Sequence, residues 1–179
     1  MRARAFIFAL VILVLQAAVS TVPAQTESAQ AALYELGKNS LYEQGCFAPC
    51  MCPVMMADGI RGAFILRRLA SDWLFDYYAV TDVKWIVRSG SSVQVLTGSG
   101  TYRIGGEFAL AHQLTLDLRT NEGPVEHFDS GLVPGGGNFP AIDVGISIHG
   151  FFCFDTGIQV RAWPAMRVDV GSDRIAWDQ

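Results

Sequence analysis

Charge is scarce in this chain. Asp, Glu, Lys and Arg make up 17% of its 179 residues, against about a quarter in an average soluble domain. The basic residues form no cluster and are not interleaved with aromatics, and the net charge is −4. That excludes a nucleic-acid binder working by phosphate neutralisation and an electrostatic attachment to an anionic membrane. Four cysteines are too few for a cysteine-dense miniprotein. There is no internal repeat, no linker between two domains and no nucleophile-elbow sequence. What is abundant is apolar side chain: 51% hydrophobic and 11% aromatic residues exclude a disordered chain or a coiled coil and supply one core.

One long hydrocarbon run exists, at the start. Arg2 and Arg4 form a basic opening, Ala5 to Val19 is apolar apart from Gln16, and Val22 and Ala24 stand at the −3 and −1 positions of a signal-peptidase site. These features predict a cleaved secretory signal over residues 1–24. A retained membrane anchor is the alternative, although the run of about 15 residues is short for a bilayer. Cleavage removes two basic residues and no acid, so the mature chain is more acidic than the precursor. The expected product is secreted or periplasmic, with no stable membrane insertion after cleavage.

The mature chain divides into an arm and cysteine segment (25–58), a β-domain (59–170) and a tail (171–179). Within the arm, Ala29 to Leu36 reads as two helical turns ended by Gly37, or as a flexible arm. From Arg61 the pattern is strand after strand: Arg61–Leu69, Leu74–Arg88, Val93–Thr97, a short strand around Tyr102 between glycine bends, and Glu107–Arg119. In the last of these, Phe108, Leu110, His112, Leu114, Leu116 and Leu118 alternate with polar or small residues, the mark of a half-buried antiparallel strand. Val125–Leu132, a surface loop at Pro134–Asn138, alternating Ile142 to Ile148, a tight turn at His149-Gly150, Phe152–Ala162 and an edge strand at Met166–Val170 complete the reading. Short turns preclude the crossovers a parallel sheet needs. The fold class is therefore all-β, a single antiparallel β-sandwich or barrel of about seven to nine strands.

Three cysteines, Cys46, Cys50 and Cys52, fall within seven residues, and Cys153 lies about 100 residues later. Two structural disulfides are expected in an oxidising compartment. A Cys50–Cys52 bridge would close a strained ring across one residue, so Cys46 pairs with one of these two and Cys153 with the other. A second reading is metal: Cys46, Cys50, Cys52, Met51, Met55 and Met56 offer soft donors suited to Cu(I). A redox role for the cysteines is a third, without the spacing or βαβ context of thioredoxin-like motifs.

No nucleophile, base or metal triad is apparent. His112 on its apolar strand face is either a hydrogen-bonded core residue or the polar group of a ligand pocket in a barrel lumen. His127 and Asp129 share a face and either orient an imidazole or form part of an exposed cross-strand patch. Asp117, Asp143 and Asp155 sit opposite apolar neighbours, as on a solvated face. The sequence thus points to an exported, disulfide-stabilised β-domain with a non-enzymatic binding or structural role and no cofactor, its partner a protein or a small molecule. Its alternatives are a carrier with a pocket near His112 or an extracytoplasmic copper protein, with a hydrolytic or redox enzyme behind both.

Overall fold

The computed structural model describes residues 31–50 and 52–165, so the signal segment, Met51, the edge strand at Met166–Val170 and the tail lie outside the described residues. The described residues form ten strands and no helix: β1 (Ala31–Leu36), β2 (Leu41–Cys46), β3 (Met55–Ser71), β4 (Phe75–Ser89), β5 (Ser92–Gly105), β6 (Ala111–Thr120), β7 (Val125–Asp129), β8 (Val133–Pro134), β9 (Ile142–Ser147) and β10 (Phe154–Pro164). All belong to one antiparallel sheet. Each long strand pairs with its neighbour in sequence, and β10 returns to pair with β9 on one side and with β2 and β1 on the other. The sheet therefore nearly closes into a ring, which selects the barrel over the sandwich. Its thinnest seam is β7 against β9, joined at the single register pair Asp129–Ser147.

β1 and β2 share one position in that ring. Both pair with β3, Ala31–Glu35 against its second half and Leu41–Gly45 against its start. The break between them is satisfied by hydrogen bonds: the Gly37 N–H donates to the Arg161 carbonyl at 2.6 Å, and the buried Ser40 hydroxyl donates to that carbonyl at 3.0 Å while accepting from the Arg161 N–H. The stretch from Ala31 to Leu36 is thus a strand in place of the expected helical turns or arm. Its alternation buries Tyr34 against Phe64, with ring centroids 5.3 Å apart, and cross-strand pairing on both edges outweighs the weak helix cap at Ser28.

Alternation sets the interior. His112, Leu114, Leu116 and Leu118 of β6 are buried, as are Ile142, Val144 and Ile146 of β9 and Ile158, Val160 and Ala162 of β10. Eight positions round a ring leave a lumen that side chains can fill, and Trp85, Phe64, Tyr102 and Phe128 fill it. β3, β4 and β5 run for 17, 15 and 14 residues, long enough that the wall must bend. Register shifts between Ala63 and Ile65, Arg68 and Ala70, and Val80 and Val83 mark β-bulges. At Gly98 and Gly100 a Cβ would collide with the backbone carbonyls of Asp117 and Thr115. These glycines let β5 continue unbroken through what the sequence divides into two strands.

The ring has two ends. The cysteine loop and the β4–β5, β6–β7 and β9–β10 turns lie at one. At the other lie the start of β1, the β3–β4 and β5–β6 turns, the β7–β9 connection and the end of β10. One expectation fails at this second end. Strand β6 begins at Ala111, not Glu107, so Phe108 and Leu110 are exposed instead of on the apolar face; Gly105 and Gly106, with φ of 156° and 142°, turn the chain before the alternation can be used. The segment after Pro134 is a surface loop as expected, with Gly137 and Asn138 exposed. Phe139 stacks on Tyr102 with centroids 6.0 Å apart and lies 5.5 Å from Tyr78, plugging that end.

Candidate functional site

Disulfides fasten the cysteine end. Cys46 pairs with Cys52, Cα atoms 5.6 Å apart, and Cys50 pairs with Cys153, Cα atoms 4.9 Å apart. This is one of the two pairings the sequence leaves open, and the long bridge ties the β2–β3 loop to the β9–β10 loop. No described cysteine is free. A disulfide sulfur is no thiolate, so the soft-donor set for Cu(I) exists only in a reduced chain. Met55 and Met56 are about half exposed, on the first two positions of β3. Among the described residues no group of three or more His, Cys, Asp or Glu converges as a metal site.

The β9–β10 connection is longer than the tight turn expected at His149-Gly150, spanning Ile148 to Cys153. Its geometry is organised by Asp155, which is buried rather than on a solvated face. The carboxylate accepts from the Thr156 N–H at 2.7 Å, the Phe151 N–H at 2.8 Å and the His149 N–H at 3.1 Å. Burial pushes its pKa up, but these N–H groups and the Ser147 hydroxyl outweigh that and hold it below the ordinary carboxylate value. The sequence pattern missed this residue because alternation reports a face, while a loop folding back over the strand decides exposure. Phe151 and Cys153, in that loop, have φ of 57° and 54°.

His112 lies inside the plugged end, only 3% exposed. The Tyr102 hydroxyl is 3.2 Å from its Nδ1, and a Cβ on Gly135 would stand 2.7 Å from its Nε2. Burial lowers its pKa, with Asp143 pulling weakly the other way, so the neutral ring is favoured. Tyr102 itself is pushed well above its ordinary value by burial. Of the two readings for His127 and Asp129, the exposed cross-strand patch holds and the oriented pair does not form. His127 Nδ1 instead meets Asp117 Oδ1 across the β6–β7 ladder at 2.7 Å, both side chains largely exposed. Asp129 takes bonds from Gln113, Thr115 and the Gly131 N–H. Asp143 is exposed, as expected, and reaches Arg161 at 3.2 Å.

Two clefts among the described residues open to solvent. The first, at the cysteine end of the ring, is lined by Tyr42, Gln44, Met56, Asp58, Val87, Ser89 and Gln94, and its volume is ≈60 Å³. That is room for about two waters, not for an organic ligand. Tyr42 there is raised in pKa by burial and by Glu126, against a hydrogen bond with Thr156. The second cleft, of ≈390 Å³, lies near the plugged end and is lined by Leu69, Tyr77, Tyr78, Thr101, Tyr102, Arg103 and Gln113. Its polar residues Tyr77, Arg103 and Gln113 are aligned by register across β4, β5 and β6, on the face opposite the buried Ile104 and Leu114. This volume falls in the range of small-molecule sites.

Arg103 dominates the second cleft. Its guanidinium lies over the Phe75 ring, 5.1 Å from the centroid, which fixes the side chain by a cation–π contact. Its Nε is buried and has no hydrogen-bond acceptor. A buried donor without an acceptor costs about 1–3 kcal/mol, and Arg103 is at the same time part of the cleft lining. Alternation places Arg103 on the outer face of its strand, but the sequence gives no sign that β3, β4 and β6 wall a cleft around it. No protein-family model matches the chain, and neither a curated protein nor a solved structure matches it.

Proposed function

We propose that this protein is an extracytoplasmic binding domain, a disulfide-fastened barrel that acts without catalysis and takes a small organic acid in the cleft around Arg103. The single observation that carries the reading is a guanidinium, that of Arg103, held over Phe75 and lining a cleft of ≈390 Å³. A carboxylate accepts from a guanidinium through charge-assisted hydrogen bonds, while Leu69 and Tyr77 offer apolar and aromatic contact and Gln113 a further polar group. Export is supported by the two disulfides, which persist in oxidising compartments, and by the basic and apolar opening of the sequence. The lumen is a poorer place for a ligand, because Tyr102, Ile104 and the Gly135–Gly136 backbone already pack round His112.

Benzoate is a suitable probe, with an aromatic body and one carboxylate. Titrated into the ¹⁵N-labelled protein, it should shift the amide signals of Thr101 to Arg103 and Gln113 and saturate. Arg103→Gln should weaken that binding by about tenfold or more, a loss of roughly 1.4 kcal/mol, with the rest of the spectrum unchanged. Non-saturating shifts, or equal affinity in the variant, would overturn the assignment of the cleft.

A further inference from the structure

The plugged end of the barrel exposes aromatic side chains at its tips. Trp73, in the β3–β4 turn, is 82% exposed, and Phe108, in the β5–β6 turn, is 94% exposed. Leu110 and Leu132 beside them are 45% and 50% exposed. The tips form one rim: the Gly106 N–H donates to the Leu74 carbonyl at 2.9 Å, and the Gly135 N–H to the Leu110 carbonyl at 3.1 Å. The Trp73 turn is held in shape by Asp72, whose carboxylate accepts from the Leu74 N–H at 2.7 Å, the Phe75 N–H at 2.6 Å and the Tyr77 hydroxyl at 2.8 Å. Protruding aromatics on fixed turns suit the interface of a bilayer, where an indole lies at headgroup depth.

Chain direction says which surface faces a membrane. Ala31 pairs with Arg67 at this same end, and eleven residues lie between it and Val19, the end of the apolar run. While that run is attached, a tether of at most about 40 Å leads to this end and not to the cysteine end. The cysteine end also exposes Phe152 and Phe154, but it lies a barrel's length from the tether. Charges around the rim are of both signs: Asp72, Asp76 and Glu107 against Arg67, Arg68 and Arg103. The rim has no cationic excess to favour anionic lipid.

We infer that the rim of Trp73, Phe108, Leu110 and Leu132 seats this barrel on the interface of a neutral lipid bilayer, with the cysteine end pointing away. The test uses the full chain with phosphatidylcholine vesicles whose acyl chains carry bromine near the headgroup, reading tryptophan quenching. Trp73→Phe should remove more than half of the quenching. In that background Phe108→Trp should restore it and Val93→Trp, at the opposite end, should not. Added salt or anionic lipid should change quenching less than twofold. Unaltered quenching in Trp73→Phe, recovery with Val93→Trp, or a requirement for anionic lipid would each overturn the inference.

Discussion

Asp155 shows how one side chain governs a loop. Its carboxylate gathers two backbone N–H groups from the turn that ends at Cys153 and one from Thr156 of β10, so the long disulfide closes onto a loop already shaped. An amide at this position keeps one acceptor oxygen and adds an N–H₂ facing donors, so Asp155→Asn should cost about 1–3 kcal/mol at neutral pH. The pH dependence follows from a folded pKa below the ordinary value. The stabilisation is complete above the unfolded pKa of about 3.9 and is lost as pH falls through the lower folded value. Denaturation melts of the two proteins should therefore differ most near pH 7 and converge below about pH 4. A constant difference down to pH 2 would mean that the carboxylate's charge plays no part. Trp85 is a second residue whose state sequence cannot give: it is fully buried, yet its indole N–H has no acceptor.

Among the elements, β5 lies tight against β6 by way of two glycines. Gly98 and Gly100 lie on its inward face, where neighbouring carbonyls of β6 leave no space for a methyl group. Backbone cannot yield as a flexible side chain does, so Gly100→Ala should destabilise by about 1–3 kcal/mol through overpacking. Gly59→Ala, in the β3 ladder where a Cβ would meet nothing within 4 Å, should change stability by less than about 0.5 kcal/mol. Urea melts of the two variants make the comparison. Equal effects would show that general strand propensity, not the close approach of β6, is what Gly100 supplies. The sequence marked this tract by its glycines as bent at both ends; the chain turns only at Gly105 and Gly106, and pairing with β6 runs in unbroken register from Leu96 to Gly105. The sequence could not show that Ser92 to Gly105 is one strand, because glycine removes the side chains from which alternation is read.

At the scale of the molecule, the barrel is fastened at one end and plugged at the other. The Cys50–Cys153 bridge spans 103 residues and the Cys46–Cys52 bridge spans 6. Chain entropy makes the first worth about 4–5 kcal/mol and the second about 2 kcal/mol. Replacing Cys50 and Cys153 together by serine should accordingly lower the melting temperature more than replacing Cys46 and Cys52, and mass spectrometry of the untreated protein should count no free thiol. Free thiols in natively purified protein would remove the staple from the account and leave the cysteines open to Cu(I).

Sequence by itself determined the class of this protein: alternation along Ala111–Thr120 and Ile142–Ser147, short turns and apolar abundance require an antiparallel β-domain, because each strand must bury one face. It also narrowed the cysteine pairing to two choices, since a bridge across one residue is strained. Tertiary structure decided what local pattern does not contain. Pairing of β10 with β2 and β1, which joins residues more than a hundred positions apart, together with its pairing to β9 brings all the strands into one nearly closed ring. Loops folding back over strand ends buried Asp155 and plugged the end near His112. Two glycines ended the alternation early and sent Phe108 into solvent. A cleft formed around Arg103 from residues of four strands. In each case the cause is packing between distant segments, and period-two alternation encodes only which face a residue takes, not what lies across from it.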